Sequence, residues 1–217
     1  MLKALLNISK EIPLNILCLG AHSDDIEIGC GGTILRLINE YPLINITWIV
    51  FGGKGQRANE AKKSAKLFLA DVTEKQIIVK DFRDGYFPYI GAQIKNYFEE
   101  INIHLSPDII FTHYRNDLHQ DHRLIEELTW NTFRNHLILE YEIPKFDGDL
   151  GNPNYYVCLE EEMVMKKVEY ICKSFASQRD KHWFTDDTFI SLMRLRGVEA
   201  VASSKYAEGF FAYKIVQ

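Results

Sequence analysis

The chain has 217 residues, 47% of them hydrophobic and 25% charged, a balance that suits one well-buried core and is short for two domains. Its formal charge of −5, with no Lys/Arg cluster interleaved with aromatic residues, excludes the electrostatic footprint of a nucleic-acid binder or of a protein drawn to acidic membranes. Cys18, Cys30, Cys158 and Cys172 lie far apart without a C-x-x-C pair, which argues against a disulfide frame or a thiolate zinc knot and for reduced, mostly buried thiols.

Residues 1–6 are mainly apolar, but Asn7, Lys10 and Glu11 interrupt the stretch and no small-residue cleavage site follows, so no signal peptide is expected. No run approaches the roughly 18 apolar residues of a membrane span, and the expected setting is cytoplasmic, without stable membrane insertion. Residues 15–20 (NILCLG) form a short continuous apolar run closed by glycine, the pattern of a strand buried on both faces of a parallel sheet. Asp24 and Asp25 open a helical stretch in which Ile28, Ile34, Leu35 and Ile38 recur at helix-like spacing up to Tyr41–Pro42. The alternation then repeats. Residues 44–52 read as a strand, 58–70 as a helix, 76–79 as a short strand, 91–104 as a helix and 108–112 (DIIFT) as a strand. Further on, 137–141 and 155–159 are strand candidates around a turn-rich loop at 145–154, 160–174 is an amphipathic helix, and 210–216 looks like an edge strand.

Strand and helix in regular alternation, with connections too long for hairpins, predict an α/β fold with a mainly parallel sheet. No repeat, low-complexity tract or linker divides the chain, so residues 1–217 are expected to form a single domain. In such sheets ligands bind beyond the carboxyl ends of the strands. Two His/Asp segments stand there, Ala21-His22-Ser23-Asp24-Asp25-Ile26-Glu27 after one strand and Asn116-Asp117-Leu118-His119-Gln120-Asp121-His122 after another. Alone, an Asp-Asp pair at a helix start reads as a cap, and a loop histidine as a surface residue. Together the two segments supply three nitrogen or oxygen ligands for a catalytic zinc, His22, Asp25 and His122, and leave Asp24 as a spare base. His119 and His122, three apart, share one face of a helical turn, so that one can bind metal while the other meets a substrate. Other divalent ions fit the same donor set.

These motifs resemble those of the PIG-L/LmbE-like family of zinc-dependent N-deacetylases. Residues 21–33 (AHSDDIEIGCGGT) are close to the family's AHPDDxExGCGGT, and residues 117–123 (DLHQDHR) carry its HPDH or HQDH motif. Weaker echoes are Arg57 to Glu60 for RxxE, Asp84-Gly85 for DG, Ser177-Gln178 for SQ and Tyr206 to Phe210 for YAEAF. The resemblance implies a Rossmann-like three-layer sandwich, zinc on His22, Asp25 and His122, and Asp24 as general base. It also implies a protonated His119 facing the oxyanion, with Asp121 orienting that imidazole. The implied substrate is a small N-acetylated amino sugar, free or conjugated, which loses its acetyl group to a metal-activated water. Arg57, His113 and Tyr114 are the expected substrate-side contacts, with a solvated surface role for Arg57 and loop packing for His113 and Tyr114 as equal alternatives, and Glu27 and Glu208 are expected anchors for a helix and for the C-terminal strand. Ser23 stands where the family has proline, and residues 52–56 (GGKGQ) depart from its common TRGE-type loop. Hydrolysis of another amide or ester, or sugar binding without turnover, stays open as an alternative, as does assembly into a homo-oligomer.

Overall fold

The computed structural model describes residues 11–216; the N-terminal stretch read above for a signal peptide lies almost wholly outside them. In chain order the elements are β1 (Leu14–His22), α1 (Asp25–Glu40), β2 (Ile44–Gly52), α2 (Gln56–Phe68), β3 (Glu74–Val79), α3 (Gly91–His104), β4 (Ile109–His113) and α4 (Gln120–Thr132). They continue with β5 (Leu137–Tyr141), β6 (Tyr155–Leu159), α5 (Glu161–Ser174), α6 (Asp186–Glu199) and β7 (Tyr206–Phe211). The strands form one sheet in the order β3-β2-β1-β4-β5-β7-β6. The first five are parallel, and β7 pairs antiparallel with both β5 and β6.

The run NILCLG is apolar throughout because β1 lies at the centre of the sheet with helices on both faces. Ile16 and Cys18 point into the core under α1, α2, α5 and α6, while Leu17, Leu19 and Ala21 point into the second core under α3 and α4. At roughly 1.5–3 kcal/mol for each large apolar side chain fully removed from water, both cores must be filled for the sheet to persist, which yields the three-layer α/β sandwich. Glycines let α1 sit close. A Cβ at Gly29 would drive into the Tyr141 ring, and one at Gly32 would lie 2.5 Å from Leu159 and 2.9 Å from the Glu208 carboxylate.

The structure corrects the reading of the C-terminal segment. The strand there is β7, which ends at Phe211 and lies between β5 and β6, so the edge belongs to β6. Glu208 explains its interior place: its carboxylate accepts from the Gly32 and Thr33 N–H groups and the Thr33 hydroxyl, and pairs with buried Lys167 at 2.6 Å. Helix α6 was not foreseen, because Phe189 and Met193 are buried while Leu195 and Val198 are exposed, and a helix apolar on several faces carries no single stripe.

One acid in this framework carries a pH-dependent cost. Glu126 on α4 is 8% exposed and Glu140 on β5 is fully buried. Burial and then the Glu140 carboxylate push Glu126 up to about 8, against the pull of Arg115. A folded pKa above the unfolded value stabilises fully below about 4.5, and that contribution is lost as pH rises through about 8. Glu126→Gln should therefore match the parent protein in urea unfolding at pH 4 and exceed it by about 1–3 kcal/mol at pH 8.5. An equal difference at both pH values would dismiss this assignment.

Candidate metal centre

The centre lies beyond the carboxyl ends of β1 and β4, neighbours from which the chain leaves toward opposite faces of the sheet, into α1 on one side and α4 on the other. Such a switch point opens a crevice between the two loops. His22 ends β1, Asp24 takes the N-cap position of α1, Asp25 begins that helix, His119 caps α4, and His122 stands in its first turn. The two segments, nearly a hundred residues apart, thereby face each other.

Three donor atoms converge. His22 Nδ1 is 3.1 Å from His122 Nε2 and 3.4 Å from Asp25 Oδ2, and His122 Nε2 is 3.5 Å from the same Asp25 oxygen. Ligands bound at roughly 2.0–2.2 Å to one ion keep about this separation, so the trio fits a single divalent cation. The remaining ring nitrogens are also engaged: His22 Nε2 is 3.2 Å from both Asp84 Oδ1 and Asp121 Oδ2, and His122 Nδ1 is 2.9 Å from Asp117 Oδ2. Carboxylates behind metal-binding imidazoles fix their tautomer and raise their basicity. Asp25, Asp84, Asp117 and Asp121 gather around the two imidazoles, a donor set that could hold a metal ion. Donor atoms of His22, His119 and His122 also lie within 4.8 Å of one another.

Asp24 keeps its carboxylate free of both duties. It makes no side-chain cap bond to α1, which answers the capping alternative, and its nearest cation is Arg57, Nη2 to Oδ1 at 3.5 Å. Arg57 bonds Asp84 more closely, at 2.6 Å, so it braces the loop that supports His22. Burial and the adjacent Asp25 push Asp24 up, while Arg57, His22 and Lys181 pull it down with smaller effect. Asp25 is the reverse case: burial opposes its charged form, but His122, His113 and His22 outweigh that and hold it well below the usual carboxylate range. Burial and the neighbouring His113 push His122 down to about 3, which keeps its imidazole neutral, the form a metal requires.

Several expected roles shift. The Asp121 side chain does not orient His119; it reaches His22 and accepts from the Gly85 and Phe87 N–H groups at 2.6 and 3.1 Å. It is the Asp121 backbone N–H that donates to His119 Nδ1, at 3.2 Å. Burial and His22 lower the His119 pKa, and with Nδ1 accepting from the Asp121 N–H the other ring nitrogen, Nε2, is the one left to donate. His113 is fully buried, stacked on His122 at 3.9 Å, with Nε2 2.9 Å from the Ala21 N–H and 3.3 Å from Asp25. It therefore packs behind His122 and Asp25, and the donor atoms of Asp25, His113 and His122 lie within 4.8 Å of one another. Tyr114 stacks on Phe211 at 3.8 Å. The Glu27 carboxyl, expected to anchor a helix, is fully buried beside Ser64, and burial holds it toward its neutral form.

The reading of single residues missed Asp84 and Asp117 as supports of the ligands, although both fall inside the quoted motifs. The weaker motif echoes pair with one another in space: Glu60 accepts from the Ser177 N–H and hydroxyl, and Arg57 meets Asp84. The family model described as GlcNAc-PI de-N-acetylase, PIG-L, matches residues 17–133, more than half of the chain and every residue of the centre. The chain belongs to the PIG-L family.

Solved structures share the PIG-L fold seen here. The N,N'-diacetylchitobiose deacetylase of Pyrococcus horikoshii superposes with a TM-score of 0.66 at 20% identity, covering 92% of this chain and 83% of that one. A zinc-inhibited form of the teicoplanin deacetylase Orf2 gives 0.70 at 11% identity, with 91% and 97% covered. GalB, the 4-carboxy-2-hydroxymuconate hydratase of Pseudomonas putida KT2440, gives 0.68 at 16% identity, with 94% and 98% covered. At these identities the likeness is one of fold. Among the described residues no helix is long and apolar enough to cross a membrane.

Proposed function

We propose that this PIG-L protein is a metal-dependent N-deacetylase that removes the acetyl group of an N-acetylated amino sugar of the N-acetylglucosamine type, with zinc as its ion. The observation that carries the reading is the convergence of His22, Asp25 and His122 within 3.1–3.5 Å, beside an Asp24 carboxylate free of capping and of the ligand cluster. A divalent ion held by His22, Asp25 and His122 would supply an acidified water and a Lewis acid for an amide carbonyl. Asp24, made more basic by burial, takes the proton of the attacking water. His119 Nε2–H donates to the oxygen on which charge develops, without itself having to be charged. Asp24 then passes its proton to the departing nitrogen, the C–N bond breaks, and acetate leaves with a free amine. Asp84, Asp117 and Asp121 hold the imidazoles in place throughout.

Acetate release from a panel of N-acetylated sugars, measured with zinc and after chelation, tests the reading: release that stops on chelation and returns with zinc is the expected result. The relationship in fold to GalB supports a second reading, addition of water to a carbon–carbon double bond. Products separate the two, because hydration yields neither acetate nor a new amine.

A further inference from the structure

The segment between β5 and β6, residues 142–154, has neither helix nor strand, yet it is fastened to the metal centre by one buried cation. Lys145 Nζ lies 2.9 Å from Asp117 Oδ2 and 2.5 Å from Asp149 Oδ2, and the three side chains are 9%, 2% and 5% exposed. The Asp149 oxygen also accepts from the Leu118 N–H at 2.7 Å, so it clamps the loop that bears His119 and His122. The Asp117 oxygen that meets Lys145 is the one that meets His122 Nδ1 at 2.9 Å; its other oxygen accepts from the His119 N–H. A single carboxylate oxygen thus joins the ring of a metal ligand to the ammonium that docks the segment. The same segment carries Phe146 and Leu150, 67% and 41% exposed.

We propose that Lys145 is a positioning residue that couples docking of residues 142–154 to occupancy of the metal centre; this rests on the metal reading given above. An ion on His122 Nε2 prevents the ring from turning, which holds Nδ1–H on Asp117 and leaves Asp117 set to receive Lys145. Without Lys145, two buried carboxylates face each other with no cation between them, and the stretch from Lys145 to Asp149 loses its tie to the centre, although Arg196 still holds Glu142 and the Gly151 carbonyl. Coupling of this kind is reciprocal: whatever factor metal adds to docking, docking adds to metal affinity.

Hydrogen exchange of the Leu118 amide and of residues 145–154, compared in zinc-loaded and chelated full-length protein, tests the coupling, with α5 amides as internal reference. Zinc should slow exchange of the segment about tenfold, the reciprocal of the loss in metal affinity that follows removal of a ligand's support. In Lys145→Met the segment should exchange fast with or without zinc, and zinc affinity from chelator competition should fall by a similar factor. Lys145→Arg, which keeps the cation, should restore both. Should the methionine variant not fold, Asp149→Asn supplies the milder break and the same two readouts. Zinc binding that leaves the segment's exchange unchanged, or a Lys145→Met protein with parental zinc affinity, would overturn the coupling alone. A protein that binds no zinc would overturn the metal reading with it.

Discussion

Asparagine in place of Asp24 is expected to slow acetate release by roughly 10²–10⁴-fold, the usual contribution of a positioned general base, while zinc content stays at the parental level. The separation of the two effects follows from the geometry. Asp24 stands outside the trio of ligand atoms, makes no side-chain cap bond to α1, and pairs with Arg57, which keeps its stronger partner Asp84. Asparagine preserves shape and polarity but cannot carry the proton from water to amine. Turnover and metal stoichiometry, measured on one preparation, give the answer. A loss below about tenfold would remove Asp24 from the mechanism, and a parallel loss of zinc would make it a ligand.

A graded loss of metal is the second large effect. His122→Ala removes one of three donors and leaves Asp117 with no ring to hold, so its zinc affinity should fall by more than the roughly 10–100-fold that loss of a supporting group costs. Asp117→Asn keeps the ligand but weakens the bond at Nδ1, and should fall within that 10–100-fold range. Competition with a chelator of known affinity ranks the three proteins. The interpretation fails if both variants bind as the parent does, and the division into ligand and support fails if Asp117→Asn is the weaker binder.

Much of the layout is written locally. The runs NILCLG and DIIFT read as strands, and the segment after each carries the His and Asp residues of the centre. Motif resemblance reached Arg57, Asp84 and Glu208. Periodicity did not reach α6, whose apolar residues ring the helix, nor the interior seat of β7, since strand order is decided by pairings between distant segments.

The sequence by itself determined most of the strands and helices, the parallel α/β class and the two loops that carry chemistry, because these depend on the spacing of nearby residues; helices α4 and α6 lay outside that reading. Only the tertiary structure decided who supports whom. The Asp121 side chain reaches His22 rather than its neighbour His119, His113 meets Asp25, and Lys145 reaches the carboxylate behind His122. Side-chain partners across a crevice are set by how α1, α4 and the intervening loops pack around the sheet, and residues far apart in the chain acquire a distance only when that packing is complete.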